Sequence, residues 1–404
     1  MAALSTVRKQ FMAVAGTIPI LLPVFVVTEL LCACNTVQLW SLKKAGVAGT
    51  RSWLLANIAM LGYLPALGLR LVLPLVFSVV LSNGLGLVAA SAFYIGCARF
   101  LGRPAHVRPL LALVLAGIAG LLGFTLLLDD MQARVVISSG GICIVFAATA
   151  WLLYRHRLPT HRAAVYWLGA ACSVATSLLH LSRAVYYGGG YGNINDLFAA
   201  TLPNVFSMSM TAALVPGLSM LAVAMVQEQL LSEATWRAEH DGMTGLHTRQ
   251  CFETRSMQLM RQAEAGNAPL CLVLMDLDRF KQINDRHGHQ AGDQVLLAFS
   301  ALLQQGLRPA DMAGRMGGEE FALLLPQTPP QQALEQAEGL RLRAESMPAV
   351  SLGGSIPYSV SMGLAAWQPG ISFTDLYRHA DLALYAAKSA GRNRVVQAEQ
   401  PAAA

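Results

Sequence analysis

The sequence has few charged residues and few aromatic residues for its length. Only 13% of its 404 residues are Asp, Glu, Lys or Arg and 7% are aromatic, whereas 54% are hydrophobic. An ordinary soluble protein carries about 25% charged residues, so this composition argues against a wholly soluble chain. Acidic residues are scarcest at the start: residues 1–225 hold 4 Asp and Glu against 14 Lys and Arg, and residues 226–404 hold 19 against 15. The length predicts two or three domains, and the charges divide the chain into two parts.

Two classes of site are also missing from the sequence. No block of Lys and Arg with interleaved aromatic residues occurs, so nucleic acid is not expected as a partner. The seven cysteines are an odd number without paired spacing, and five of them lie in apolar runs. A disulfide framework and a zinc site are therefore not expected, and the cysteines in the apolar runs are expected to behave as small hydrophobic residues.

Long apolar runs fill the first part of the chain. A transmembrane helix needs roughly 20 mostly apolar residues, and the runs predict seven such helices. The division between the second and third is the weakest, because only Arg70 interrupts that stretch. The predicted spans are 12–36, 52–70, 72–98, 108–128, 133–154, 164–186 and 198–226.

The basic residues predict the orientation of these spans. The first, third and fifth loops carry nine Lys and Arg, and the other side, including the N-terminus, carries five. Because cytoplasmic loops are enriched in Lys and Arg, the odd loops are expected in the cytoplasm. Seven spans then place the N-terminus outside and the chain after residue 226 inside, in the inner membrane. The nine are Lys43, Lys44, Arg51, Arg99, Arg103, Arg108, Arg155, Arg157 and Arg162.

Three of the ionisable residues within the predicted spans are candidates for a functional role. Glu29 is near the end of the first, and His180 and Arg183 share one face of the sixth at positions i and i+3. Ionisable groups inside a membrane are functional candidates. One hypothesis is that Glu29 pairs with His180 or Arg183 in a ligand-binding or proton-sensing pocket. The alternative is that each lies close enough to an interface to be paired structurally.

The second part of the chain reads as a mixed domain entered through a helix. Residues 227–240 are rich in helix formers and are predicted as a helical linker that extends the seventh span. From Leu270 onward the pattern predicts the order βααββαβαβ, an α+β domain with helices covering a mostly antiparallel sheet. The predicted domains are residues 1–226 for the membrane bundle and 241–397 for this domain, with a tail at 398–404.

Acidic residues follow or separate the predicted strands of this domain. The strand LCLVLM ends in Asp276, and the strands around DMAGRM and FALLLP are joined by two glycines followed by Glu319 and Glu320. In the predicted order these acids meet at one end of the sheet, where Asp276 and Glu319 would form an oxygen-ligand pair suited to Mg²⁺. Glycine lets the turn adopt positive φ and a nucleotide approach its backbone. The alternative is a solvated hairpin tip and a helix cap.

Four stretches in this order resemble the GGDEF family of diguanylate cyclases, from about Asp241 to Val396. They are DGMTGLHTR, DLDRFKQINDRHGHQAGD, RMGGEEF and YAAKSAGRNRV. The resemblance implies a palm-like, ferredoxin-like sheet and condensation of two GTP into cyclic di-GMP with release of two pyrophosphates. It also implies a homodimer, because each domain would hold one GTP. Thr248 and Gly242 stand where the family has Asn and Pro.

The resemblance also implies roles for individual residues. Asp276, Glu319 and the carbonyl of Leu277 would hold two Mg²⁺ (or Mn²⁺) ions per active site, and Glu319 or Glu320, with Glu319 favoured, would help to deprotonate the 3′-hydroxyl. The expected substrate contacts are Asn284 and Asp293 to guanine, His289 near the substrate, and Phe280, Lys281, Lys388 and Arg392 to phosphates. Lys388 and Arg392, spaced i and i+4, are expected on one helical face.

An RxxD motif precedes the two glycines. Arg308 and Asp311 stand at the spacing that, by the resemblance, forms a product-inhibition site for cyclic di-GMP. The sequence therefore predicts a membrane-bound, signal-controlled diguanylate cyclase. The alternative is an inactive domain that serves as a receptor for cyclic di-GMP or GTP through the same two residues.

Overall fold

A computed structural model of the chain describes residues 2–68, 74–156, 163–191, 202–351 and 354–399. The described residues form two compact units, Met1–Leu231 and Ser232–Ala404. Arg70, Arg157 and Arg162, which contribute to the predicted orientation, lie outside the described residues.

The N-terminal unit is all α-helical, as predicted. Seven long helices occur among its described residues. The second ends at Gly68 and the third begins at Leu75 with Pro74 as its N-cap residue, and residues 69–73 lie outside the described ones. The helices are α1 (Ala2–Leu42), α2 (Thr50–Gly68), α3 (Leu75–Phe100), α4 (Val107–Leu126), α5 (Met131–Arg155), α6 (Ala163–Gly188) and α7 (Leu202–Glu239).

Six of these helices are long and apolar enough to cross a membrane, judged by length and composition within the described ranges. The exception is α2, which was predicted as a span. Trp53 of α2 is fully buried, and its ring centroid lies 6.5 Å from that of Phe93 and 5.4 Å from that of Phe100, both on α3. The helix is thus held against α3 by aromatic packing.

The C-terminal unit is a six-stranded sheet covered by helices on both faces. Its elements in chain order are β1 (His247–Thr248), α8 (Arg249–Gly266), β2 (Leu270–Leu277), α9 (Phe280–His287), α10 (His289–Gly306), β3 (Met312–Gly317), β4 (Glu320–Pro326), α11 (Pro330–Ser346), β5 (Ala349–Ser351), β6 (Gly354–Ile356), β7 (Val360–Ala366), α12 (Phe373–Ser389) and β8 (Val395–Gln397).

The predicted α+β class is confirmed, and the predicted order from β2 onward holds except for the β5–β6 hairpin, which lies between α11 and β7. The sheet order is β1-β3-β4-β2-β7-β8; the three inner pairings are antiparallel and the two outer ones parallel. The sequence reasoning missed β1, α8 and the small β5–β6 hairpin. These strands have two or three residues each, too few for alternation of polar and apolar residues to be visible.

Strand β2 is the centre of the unit and is buried along its whole length. Leu270, Leu272 and Leu274 pack in the cluster that includes residues of α8 and α12, and the intervening residues pack toward α10 and α11. Burial on both faces explains why this strand reads as a continuous apolar run. The two-residue alternation of a strand places Asp276 on the same face as the leucines, the face of α12.

Candidate functional site

The predicted meeting of the acidic residues at one end of the sheet is found in the structure. Asp276 near the end of β2 lies directly opposite Glu320, the first residue of β4, in the antiparallel register. Directly opposed residues of an antiparallel pair place their side chains on the same face. The Asp276 carboxylate is largely buried, and its Oδ2 lies 2.8 Å from Nζ of Lys388 on α12. Two acids and one lysine thus converge at this point.

The environment of Asp276 disfavours the ionised form of its carboxyl group. Burial raises the pKa of its carboxyl above the usual value, Lys388 opposes the rise, and the charges of Glu319 and Glu320 add to it. Burial and like charge both disfavour an ionised carboxylate. A cation bound beside these oxygens would relieve the repulsion, so the donor set fits a hard metal ion.

Metal coordination here depends on more than protein side chains. Within the described residues, no group of three or more His, Cys, Asp and Glu side chains is close enough to hold a metal ion. Mg²⁺ is usually bound by one or two carboxylates, with water and substrate phosphates completing its shell. Asp276 with one glutamate satisfies that requirement.

The turn between β3 and β4 brings Glu319 to the site. Its two glycines have φ of 152° and 52°, a region that favours glycine, and the β3–β4 register shifts between Arg315 and Gly317. The Glu319 carbonyl oxygen accepts a hydrogen bond from the Leu277 amide at 3.3 Å. A Cβ on either glycine would meet no atom within 4 Å, so backbone conformation, not space, is what requires glycine here.

Arg315 holds this turn from the side, a role that the sequence reasoning did not assign. Its Nη2 and Nε donate to the carbonyl oxygen of Gly318 at 2.8 and 3.0 Å, and its Nη1 donates to Asp241 Oδ1 at 3.1 Å. Asp241 also accepts from the amide and hydroxyl of Thr244. The first and third motifs of the domain are therefore joined through one arginine.

The substitution of Thr for Asn at position 248 leaves the local hydrogen bonds in place. Thr248 caps α8 by accepting a hydrogen bond from the Cys251 amide at 3.4 Å, and its hydroxyl donates to the carbonyl of Ala238 at 2.9 Å. Threonine is a favourable N-cap residue, so the entry to the domain keeps its capping contact.

Asp278 lies two residues after Asp276 but has a different environment. Its Oδ1 accepts from the Ser361 hydroxyl at 2.6 Å, and its Oδ2 accepts from the Ser359 hydroxyl at 2.7 Å and the Asn393 amide at 3.0 Å. The carboxylate is buried and occupied by three donors. It therefore joins β2 to β7 and to the segment before β8 instead of facing the acidic site.

The predicted guanine contacts lie on the two helices after β2. Asn284 of α9 is half-buried beside Gly292 of α10, and a Cβ at Gly292 would collide with the Asn284 amide oxygen and approach Phe280. Asp293 follows Gly292 directly and is half-buried, whereas His289, the first residue of α10, is exposed. Glycine at position 292 thus leaves room for the amide of Asn284 one residue before Asp293.

The residues predicted to contact phosphates lie together only in part. Phe280 and Lys281 form the first turn of α9, whose amides have no acceptor within the helix, and Lys281 is exposed. The expectation that Lys388 and Arg392 share a helical face is wrong. Helix α12 ends at Ser389, and Arg392 has φ of 65° and returns its amide to the carbonyl of Ala387. Arg392 lies beyond the helix, with an exposed side chain.

Arg308 and Asp311 bind each other just before β3. Arg308 Nη2 lies 2.7 Å from Asp311 Oδ1, and the Arg308 amide donates to Asp311 Oδ2 at 2.9 Å. The Asp311 side chain is 1% exposed and that of Arg308 43%. The hydrogen bonds that the Arg308 guanidinium donates to the Asp311 carboxylate raise the pKa of the arginine. Arg308 is thus the accessible member of the pair, and Asp311 orients it.

The suggested contact between Glu29 and the ionisable residues of α6 is not found. Glu29 Oε1 is buried and has no hydrogen-bond partner among the described residues. His180 and Arg183 instead line a cavity together with Arg134.

Comparison with known proteins identifies the C-terminal unit. Residues 238–394 match the family model described as "Diguanylate cyclase, GGDEF domain". The chain is 42% identical over 174 residues to diguanylate cyclase DgcM of Escherichia coli K12, covering 43% of this chain and 41% of that protein. It is 40% identical over 160 residues to the probable diguanylate cyclase DgcC of the same strain, covering 38% and 42%. The match thus spans about two-fifths of the length of these curated relatives.

A solved structure is also similar to this unit. The crystal structure of the coiled coil and GGDEF domain of DgcB from Caulobacter crescentus, in complex with c-di-GMP, is 32% identical, with a TM-score of 0.41, covering 43% of this chain and 92% of that chain. The family model and the curated relatives both match the region that carries Asp276, Glu319 and Glu320. The C-terminal unit of this chain belongs to the GGDEF family.

Proposed function

We propose that the chain is a membrane-bound diguanylate cyclase that condenses two GTP into cyclic di-GMP and releases two pyrophosphates. The observation that carries the proposal is the convergence of Asp276, Glu320 and Lys388, with Glu319 on the adjoining turn, at one end of the sheet. Each group has a task in phosphoryl transfer, in which catalysis is mainly positioning and neutralisation of charge.

Asp276, Glu319 and the Leu277 carbonyl would hold the metal ions, two Mg²⁺ or Mn²⁺ per active site. When bound, such ions neutralise charge on the phosphates and make the attacking hydroxyl more acidic. The raised pKa of Asp276 supports the assignment, because a carboxylate crowded by burial and like charge gains most from a nearby cation.

The protein groups around this point would position the nucleotide. Asn284 and Asp293 would hydrogen-bond the guanine edge, with His289 close to the substrate, and adenine would leave these polar groups unpaired. The amides of Phe280 and Lys281, together with three cationic side chains, would receive the triphosphate. Those side chains are Lys281, Lys388 and Arg392.

In the reaction, the 3′-hydroxyl of one GTP gives its proton to Glu319 or Glu320 and attacks the α-phosphorus of the other GTP. The new O–P bond forms as the bond from that phosphorus to pyrophosphate breaks. A second transfer of the same kind closes the ring. Of the two, Glu319 is favoured as the base.

A homodimer follows from this chemistry, because one domain with one GTP holds only half of the reactants. The six apolar helices support a membrane location, which we take to be the inner membrane with the GGDEF unit in the cytoplasm. An N-terminus outside requires α2 as a seventh crossing, because six crossings would leave both ends of the chain on the same side. Helix α7 runs without interruption to Glu239, so a change in the membrane unit has a continuous element along which to act on dimer geometry.

A direct assay tests the proposed activity. The full chain in detergent or nanodiscs, freed of bound nucleotide, is incubated with GTP and Mg²⁺, and cyclic di-GMP is measured by mass spectrometry. We expect product from wild type and none from Asp276→Asn. If a dimeric wild-type preparation binds GTP but forms no product, the chain is an inactive receptor and the cyclase proposal is wrong.

Product inhibition is proposed for Arg308, whose guanidinium is oriented by Asp311 and remains accessible. A guanidinium can fork onto a guanine or phosphate, whereas an ammonium cannot. Arg308→Lys is therefore expected to raise the cyclic di-GMP concentration that halves the initial rate by about tenfold, the equivalent of about 1.4 kcal/mol. An unchanged half-inhibitory concentration would remove this site from the proposal.

A further inference from the structure

The N-terminal unit contains a cavity with two arginines and a histidine in its lining. Its lining includes Leu67 near the C-terminal end of α2 and Arg183 near that of α6. It also includes Val79, Arg134 and Met208, which lie near the N-terminal ends of α3, α5 and α7. Its volume is about 100 Å³. A space of roughly 10–15 Å³ on this measure holds one water molecule, so the cavity has room for the polar end of a small ligand.

The cations are Arg134 and Arg183, His180 lies beside them, and no Asp or Glu among the described residues lines the cavity. Arg134 is 6% exposed and His180 is 7% exposed. Arg134 Nη1 lies 3.2 Å from Asp129 Oδ1 but not in the geometry of a hydrogen bond, and that Asp129 side chain is 81% exposed. The cavity therefore carries a positive charge that its own walls balance only in part.

Two of these side chains have hydrogen-bonding atoms without a protein partner. Arg134 Nη1 and His180 Nδ1 are fully buried and make no hydrogen bond among the described residues. A buried polar atom left unpaired costs about 1–3 kcal/mol. A ligand with acceptor oxygens at this position would pair with Arg134 and, depending on its tautomer, with His180.

A second cavity of about 60 Å³ adjoins the first, and the two share Met60, Tyr63, His180, Thr211 and Val215 in their linings. The remaining walls of the second cavity are mostly apolar: Ala56, Gly86, Ala89, Ala90, Phe93, Ile142, Phe146 and Leu218, with Thr176 and Ser219. A cationic cavity thus adjoins an apolar one, and His180 is in the lining of both.

We infer that the N-terminal unit binds a small amphiphilic organic anion, a monocarboxylate with an apolar chain of several carbons. The carboxylate lies against Arg134, His180 and Arg183, and the chain extends past His180 into the apolar cavity. Arg–carboxylate pairing supplies orientation, and burial of the chain supplies affinity of about 0.8 kcal/mol per CH₂ group. Glu29, which has the same charge as the ligand, is not part of the lining.

The test uses hexanoate as the probe and thermal unfolding of the full chain in phosphatidylcholine nanodiscs as the measurement. Hexanoate is expected to raise the unfolding midpoint, because a ligand that binds the folded state alone stabilises it. Acetate, which has the charge without the chain, and hexanol, which has the chain without the charge, are each expected to give less than a third of that shift. Equal shifts with hexanol would show bilayer partitioning and overturn the inference.

Variants locate the site. Arg183→Gln is expected to abolish the hexanoate shift while leaving the midpoint without ligand near that of wild type, since Arg183 is only half-buried and forms no ion pair among the described residues. The matched control is Arg155→Gln, at the exposed end of α5 and outside the cavity, which should keep the full shift. A shift that survives in Arg183→Gln contradicts the assignment.

Two further experiments test the remaining alternatives. His180→Gln, which replaces the ring with a neutral amide, is expected to weaken hexanoate binding at least fivefold in a titration of the midpoint, and unchanged binding would contradict the inference. Replacing a third of the phosphatidylcholine with phosphatidylglycerol should leave the hexanoate shift in place. If the anionic lipid raises the midpoint by itself and removes the response to hexanoate, the cavity belongs to a lipid headgroup and the inference is wrong. None of these readouts depends on cyclase activity.

Discussion

The two units of the chain treat buried polar groups in opposite ways. In the C-terminal unit the buried carboxylate of Asp278 has three donors and that of Asp311 has its own arginine. Among the described residues of this unit, only Ser256 leaves a buried side-chain polar atom unpaired. In the N-terminal unit, Arg134 and His180 are buried with atoms that find no partner.

This difference separates two kinds of function. A satisfied network fixes a site in one geometry, which catalysis by positioning requires. An unsatisfied polar group stores a cost that a bound molecule can remove, which suits a unit that responds to a ligand. Asp276 is the informative exception within the C-terminal unit, because it is buried against two like charges with only one cation beside it.

The largest expected effect comes from replacing Asp276. Asp276→Asn should lower kcat for cyclic di-GMP formation by on the order of 10²–10³-fold or more, the range for loss of one group that stabilises developing charge. Because the fold raises the pKa of Asp276, its ionised form costs stability at neutral pH, so the neutral amide should not destabilise the sheet. Cyclase assays and hydrogen exchange of the β2 amides in the full chain measure the two effects.

Asp278→Asn should show the reverse pattern. The amide cannot accept hydrogen bonds from three donors as the carboxylate does, and buried donors left unpaired cost about 1–3 kcal/mol. Hydrogen exchange of the β2 and β7 amides should therefore accelerate, whereas GTP binding by the molecules that remain folded should be retained. Exchange as slow as in Asp276→Asn would break the distinction between a satisfied and an unsatisfied carboxylate.

Lys388→Ala should produce a smaller and more specific effect. Losing the ammonium 2.8 Å from Asp276 Oδ2 removes a group that lowers the pKa of that carboxyl and, in the proposed function, a phosphate contact. We expect about a tenfold rise in KM for GTP, the equivalent of about 1.4 kcal/mol. Arg378→Ala on the same helix is the control, because Arg378 forms only an exposed pair with Asp375. A similar rise in the control would indicate a general charge effect.

The sequence predicted features that depend on short patterns of neighbouring residues better than contacts between residues far apart in the chain. Asp276 meets the acidic turn because two strands of recognisable pattern pair in register. That meeting was predicted with Glu319 as the partner, whereas the residue directly opposite Asp276 is Glu320. The donors to Asp278 come from Ser359, Ser361 and Asn393, and no periodicity links positions so far apart. Arg392 was misplaced because i, i+4 spacing was taken to mean one helical face although α12 ends at Ser389.

The membrane unit was predictable as helices but not as a site. Runs of apolar residues gave seven helices with the break before α3. The cavity, however, is lined by residues of six helices, and their juxtaposition depends on packing that a hydropathy pattern does not encode. His180 and Arg183 were recognised as candidates because they are ionisable. Arg134, which completes the lining, was counted only among the basic residues that predict the orientation of the spans.

The smallest expected effect concerns the link between the first and third motifs. Burial tends to raise the pKa of Asp241, but hydrogen bonds from Thr244 and Arg315 outweigh it and hold the pKa below its usual value. A depressed pKa in the folded state means that this stabilisation is present above the unfolded pKa, about 4, and is lost as pH falls through the lower, folded value. Since the Asp241 side chain is 28% exposed, the contribution is expected to be about 1 kcal/mol.

Asp241→Asn tests that sign. At pH 7 the variant should show faster hydrogen exchange than wild type in the β3–β4 turn, after correction for intrinsic rates, and the difference should narrow as the pH falls below about 4. Glu253→Gln is the control, because its carboxylate pairs with Arg249 on the exposed side of α8 and does not contact Arg315. A difference that stays constant from pH 7 to pH 3 would mean that Asp241 acts through shape and not charge. In that case packing, and not the charge of Asp241, would maintain its contact with Arg315.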